Sequence, residues 1–107
     1  MPLNYASCIE ACYDCAAACD YCASSCLEEE DPGMMRDCIR LDMQCANMCR
    51  LAAQFMAMGS AWAKSVCQLC AEICEECGKT CRQHQMDHCQ RCADACERCA
   101  QACREMA

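Results

Sequence analysis

The sequence predicts an all-α fold: an antiparallel up-down-up-down four-helix bundle with a cysteine-lined core. Three observations lead there. Nineteen cysteines fall in four segments of a 107-residue chain, and inside each segment they are spaced by 3, 4 or a whole 7 residues. Such steps put every thiol of a segment on one stripe of an α-helix. Strand periodicity is absent, and β-branched residues are confined to one Val, three Ile and one Thr. Short breaker-containing connections separate the segments, which favours antiparallel neighbours.

Each helix can be read in order. The first, over residues 4–29, carries Cys8, Cys12, Cys15, Cys19, Cys22 and Cys26 in the stretch "CIEACYDCAAACDYCASSC", with Asn4 as its expected N-cap. "EEEDPG" ends it, and Asp31 and Pro32 are expected as N-cap and first residue of the second helix, 32–58. That helix holds Cys38, Cys45 and Cys49, with Leu41 assigned to the seam position that lacks a cysteine. Gly59 supplies a stop and Ser60 a new cap for the third helix, 60–82, with Cys67, Cys70, Cys74, Cys77 and Cys81. Gly78 interrupts this helical pattern. The fourth helix, 86–105, carries Cys89, Cys92, Cys96, Cys99 and Cys103, with Asp87 as candidate cap. Ala71, Ala93, Ala95, Ala100 and Ala102 fall beside the stripes, where small side chains let backbones approach. Glu10, Asp14, Glu72, Glu75, Arg91, Asp94 and Arg98 fall on outer positions.

Length and composition bound the function. The 107 residues suit a single domain with one modest core. Leu, Ile, Val and Phe number only ten, against 19 Cys, 18 Ala and nine Met, so the core must be built from small residues and sulfur. A formal net charge of −7 and the lack of a basic run argue against nucleic-acid binding. The N-terminus "MPLNYASCIEAC" has no basic or apolar leader region, and no window suits a membrane span, so a cytoplasmic location is expected. In that reducing compartment, an odd number of cysteines at this density points to metal rather than to disulfides.

Cysteine can serve as a small buried hydrophobe. Nineteen on converging stripes would leave such a core underpacked at nearly every layer, and cavities are costly. Soft thiolates select Cu(I), Zn(II) or iron–sulfur clusters. Structural zinc favours closed tetrahedra wrapped by turns, and iron–sulfur proteins favour loop-borne runs such as CxxCxxCxxxCP, which this chain lacks. Sulfurs in rows on straight helices suit multiple bridged Cu(I) ions down the bundle axis, approaching roughly one ion per cysteine. Iron–sulfur or zinc binding remains the alternative, and colour separates the first: iron–sulfur protein is brown, whereas Cu(I) and Zn(II) thiolates are colourless.

The two ends of the bundle differ. One collects Met34, Met35, His84, Met86 and His88, and reads as a copper entry rimmed with sulfur and imidazole. The other collects Leu3, Tyr5, Leu51, Phe55, Met56, Met58 and Trp62, and reads as a hydrophobic plug. Met43 and Met48 are expected as core filler. Tyr13, Tyr21, Leu27, Leu69 and Ile73 lie off the thiol stripes and could mark a self-association face. No catalytic Ser/His/Asp or phosphate-loop arrangement is present, and the CxxC steps sit mid-stripe, so no enzyme activity is expected.

Serial CxxxC and CxxC steps on helix after helix, as in "CIEACYDCAAACDYCASSC", "CQLCAEICEECGKTC" and "CQRCADACERC", resemble the bacterial copper storage proteins, most of all their cytosolic branch. The resemblance implies a homotetramer of bundles, each storing many Cu(I) ions on core thiolates, with an entry end containing His or Met. All nineteen cysteines take the ligand role by stripe position. Proteins that donate or accept copper are further possible partners.

Overall fold

The structure, a computed structural model, describes residues 5–106. It consists of α1 (Ala6–Cys26), a 3₁₀ turn (Pro32–Met35), α2 (Arg36–Ala57), α3 (Ala63–Arg82) and α4 (Asp87–Glu105). The helices pack as a square, α1 on α2 and α4, and α3 on α2 and α4, in a rod of 45 × 17 × 17 Å. The four-helix expectation holds.

Helix ends differ from the sequence expectation in ways the local chemistry explains. Asn4 lies outside the described residues. α1 stops at Cys26 rather than at 29, and the chain tightens into i→i−3 turns, with the Glu28 N–H donating to Ser25 O at 3.1 Å and the Glu29 N–H to Cys26 O at 3.3 Å. Four consecutive acidic residues, Glu28 to Asp31, face the negative end of the helix dipole and oppose its extension. Asp31 makes no side-chain cap, and Pro32 opens the 3₁₀ turn instead of α2 itself. Asp87 likewise does not cap α4. It is the first helical residue and pairs with Arg91 one turn on, at 3.4 Å.

The α2–α3 connection follows expectation at Gly59 but not at Ser60, since α3 begins at Ala63 with Trp62 at the N-cap position. Gly59 adopts φ 63°, the left-handed conformation that glycine tolerates, and the Ser60 N–H donates back to Phe55 O at 3.0 Å to close α2. Ser60 Oγ then accepts the Trp62 N–H at 3.0 Å, ahead of α3.

The seam of α2 corrects the reading of Leu41. Leu41 is only half-buried, whereas Asp42 is 0% exposed and occupies the stripe between Cys38 and Cys45. The α2 seam runs Met35, Cys38, Asp42, Cys45, Cys49, Ala52 and Met56, and all seven are buried. Strict alternation of 3 and 4 predicts this register: counting back from the 45–49 step of 4 gives 42, then 38.

Small residues set the spacing between helices. Gly78 is buried on α3, and a Cβ there would lie 3.3 Å from Cys96 Cβ and 3.6 Å from the Ala93 carbonyl oxygen. The glycine that interrupts the helical pattern is therefore a place where α3 and α4 approach closely. Arg82 fastens the same pair: its guanidinium donates to Gln90 Oε1 at 2.8 Å, Asp94 Oδ1 at 2.8 Å and Glu97 Oε1 at 3.0 Å. Arg50–Asp20, at 2.8 Å, ties α2 to α1.

Gly78→Val should destabilise the metal-free, reduced protein by about 1–3 kcal/mol, because added bulk in a tightly packed site forces the neighbouring helix outward. Urea denaturation measures this. An unchanged midpoint would mean that α3 and α4 are not in close contact at this position.

Candidate metal centre

All nineteen cysteines are free thiols, and all are buried. The stripes converge because each helix turns its thiol face to the bundle axis. The resulting sulfur column is continuous. Sulfurs of Cys12, Cys70, Cys99 and Cys103 lie within 4.8 Å of one another, as do those of Cys15, Cys49, Cys74 and Cys99, of Cys15, Cys19, Cys45 and Cys96, and of Cys19, Cys77, Cys92 and Cys96. Consecutive members of this series share sulfurs: Cys99, then Cys15, then Cys19 with Cys96. A further group, Cys22, Cys26, Cys38 and Cys89, lies at the end where α1 finishes and α4 begins. It joins the rest through Cys38···Cys81 at 3.1 Å and Cys81···Cys92 at 3.9 Å. At the opposite end Cys8 lies 3.8 Å from Cys103.

These separations suit metal bridging. Two metal–sulfur bonds of about 2.3 Å, enclosing an angle of about 110–120°, place their sulfurs about 3.8–4.0 Å apart. Cys15···Cys96 at 3.8 Å, Cys19···Cys96 at 3.9 Å and Cys22···Cys89 at 3.8 Å already match. The surroundings hold no buried Lys or Arg to balance thiolate charge among the described residues; Asp42 is the one buried polar side chain there besides the thiols. A buried array of bare thiolates is therefore prohibitive, and the thiols keep their protons until a cation replaces them. Burial pushes Cys89 up to about 11 and raises Cys26 as well.

Asp42 is the residue within the thiol column that the sequence reading missed. Its Oδ1 accepts S–H donation from Cys77 at 3.3 Å, Cys81 at 3.3 Å and Cys92 at 3.2 Å, and its Oδ2 from Cys38 at 3.6 Å. Four thiols satisfy the carboxyl group. Burial, the largest cause, pushes it up to about 9.

The proposed entry end is assembled unevenly. His88 stands on the first turn of α4 with Nδ1 3.4 Å from Cys22 Sγ and 3.5 Å from Cys89 Sγ. Met35 is buried on the α2 seam, and Met86 is packed against the core. His84, by contrast, sits in the α3–α4 turn, where its backbone carbonyl accepts Gln90 Nε2 at 2.6 Å and its ring makes no hydrogen bond among the described residues. Met34 is 69% exposed, and Met43, expected as core filler, is also exposed; Met48 is partly buried against the core. Met43 follows the Asp42 seam position by one residue, which turns it outward.

At the other end only part of the expected plug is in place: Met56 is buried and Tyr5 packs against the core. Leu3 lies outside the described residues. Met56, Ala52, Ala53 and Ala63 close the column, with Tyr5 packed against them, while Trp62 (69% exposed), Met58 and Leu51 face solvent.

The family profile described as copper storage protein matches residues 1–107. The chain belongs to the copper storage protein family. Solved structures agree with that membership. The Cu(I)-bound copper storage protein BsCsp3 superposes with a TM-score of 0.94 at 50% identity, covering 97% of this chain and 98% of that one. Apo-Csp3 from Bacillus subtilis gives 0.92 at 50% identity, over 96% and 98%. A cytosolic copper storage protein from Streptomyces lividans, solved with five coppers, gives 0.92 at 39% identity, over 96% and 91%. An uncharacterized cysteine-rich protein of Bacillus subtilis (strain 168) is 52% identical over 82 residues, 77% of this chain and 76% of its own length.

The Asp42 environment predicts a pH signature for this family member in its metal-free, reduced form. The folded chain keeps the Asp42 proton up to about 9, and the unfolded chain releases it near the ordinary value of 3.8. Between those values the folded state binds more protons, so this residue's contribution to stability falls as pH rises. Asp42→Asn should flatten the decline of the urea midpoint between about pH 5 and pH 8, a range in which ordinary thiols keep their protons. Equal slopes in the two proteins would refute the buried, protonated carboxyl.

Proposed function

We propose that the chain is a cytosolic store and buffer for Cu(I), binding many ions on core thiolates and performing no catalysis. The supporting observation is the sulfur column, in which successive groups share or adjoin thiols at bridging distance in a buried interior. Family membership narrows the soft ions that such a column could take to copper. The Streptomyces lividans relative's description as cytosolic supports the compartment, and the nineteen unpaired thiols are compatible with a reducing one.

In this reading all nineteen cysteines are ligands. Each Cu⁺ that enters displaces one thiol proton, so the core stays close to neutral as it fills, and its capacity approaches roughly one ion per cysteine. His88 serves as the gate: its Nδ1 meets an incoming ion and passes it to Cys22 and Cys89, 3.4 and 3.5 Å away. His84 lies at the same end in a lesser role. The exposed Tyr13, Tyr21, Leu27 and Leu69 are available for assembly into the homotetramer that the family resemblance implies.

Anaerobic titration of the reduced protein with Cu(I), against a chromogenic chelator, should show many ions withheld before the chelator responds, approaching the cysteine count. A plateau at two or three ions would refute a store. His84→Ala with His88→Ala should slow loading and leave capacity largely intact, with His88→Ala alone giving most of the effect. A halved capacity would overturn the gate.

A further inference from the structure

At the entry end, one carboxylate reaches the histidine from outside the thiol column. His88 is turned so that its two ring nitrogens face different surroundings. Nδ1 points at Cys22 and Cys89, while Nε2 lies 2.9 Å from Glu29 Oε2. Glu29 does not belong to a helix. It lies in the connection just after α1, held by its backbone N–H on Cys26 O at 3.3 Å, and its side chain crosses to α4. The His88 side chain is 12% exposed and that of Glu29 30%, so the contact is partly shielded from water.

We infer that Glu29 is the positioning residue of the copper gate. The carboxylate oxygen accepts the Nε2–H, which holds the imidazole as the Nε2–H tautomer and leaves the Nδ1 lone pair directed at the Cys22 and Cys89 sulfurs. In a free imidazole the proton is shared between the two nitrogens, and the ring rotates about χ2. Here one hydrogen bond fixes both. A carboxylate behind a ligating imidazole also raises the basicity of the ligand nitrogen, and loss of such an outer partner typically costs 10–100-fold in metal affinity. It offsets the positive charge of a Cu⁺ held on a neutral nitrogen before the ion reaches thiolates. Glu28, Glu30 and Asp31 surround Glu29 in sequence, yet all three are exposed; Glu29 alone in this acidic run makes the contact with the ring.

The inference rests on His88 as the gate, and the test separates the two. In the metal-free, reduced wild-type protein, long-range ¹H–¹⁵N correlation at neutral pH should show His88 with a protonated Nε2 and a bare Nδ1. Glu29→Ala should give a tautomer mixture, and Glu29→Gln, whose amide oxygen still accepts, should restore the wild-type pattern. Stopped-flow loading with chelator-buffered Cu(I) should be slowed about 10–100-fold by Glu29→Ala, less by Glu29→Gln, with unchanged final capacity. In a His88→Ala background, Glu29→Ala should add nothing. An unaltered tautomer in Glu29→Ala overturns the positioning role. So does an equal slowing by Glu29→Ala with and without His88, which would make the carboxylate an attractor of cations in its own right. If His88→Ala loads at the wild-type rate, the gate fails instead, and the tautomer measurement alone decides whether Glu29 orients the ring.

Discussion

Sulfur atoms packed 3.1–4.0 Å apart in a buried interior with no Lys or Arg among the described residues that line it are the constraint on which this molecule depends. Thiols are small, weak hydrogen-bonders, and they stabilise a core poorly compared with leucine or isoleucine. They are tolerated together only because the bundle is narrow. Alanine beside the stripes and glycine at position 78 bring the backbones in until the sulfurs meet. The same narrowness makes the array a ligand set. Cys15, for one, lies 3.9 Å from Cys45 on α2 and 3.8 Å from Cys96 on α4, and Cys49 lies 3.6 Å from Cys74 on α3 and 3.8 Å from Cys99 on α4, distances that a bridging ion can span. Packing and chemistry are one property of this column.

Among the described residues no Lys or Arg is buried, and a second consequence follows from that. A bundle with a buried Lys or Arg could hold thiolates without metal. This one cannot, so protonation of the thiols and occupation by a monovalent ion are the two neutral states available to it. Asp42 fits the first state. It stands where the column would otherwise have a twentieth sulfur, and it is satisfied there by four S–H donors. The interior is thus adjusted around proton-bearing groups throughout, including its one carboxyl.

Asymmetry between the ends gives the column a direction. One end is shut by Met56 and alanines. The other carries a ring nitrogen aimed at the outermost thiol group, supported from outside by an acidic connection that cannot continue the helix before it. The acidic run that ends α1 early also leaves Glu29 free to cross to α4. Helix termination and site construction are therefore the same local event.

The amino-acid sequence alone determined the four helices, the stripe membership of every cysteine, the glycine stop at Gly59 and the end of the bundle that holds the histidines, because each follows from spacing and local backbone chemistry. It also contained the register of Asp42, in the strict 3–4 alternation; hydrophobicity pointed to Leu41, but the alternation was the stronger signal. Only the tertiary structure decided which side chains meet. His88 and His84 are four residues apart at the same end, and one faces the thiols while the other does not. Trp62 and Met58 look like plug residues by composition, yet they face water, since the α2 seam has already closed the column with Met56. Glu29 cannot be told from its acidic neighbours until α4 is placed against the end of α1. Contacts between helices depend on their relative rotation and height, and those are set by packing all four at once.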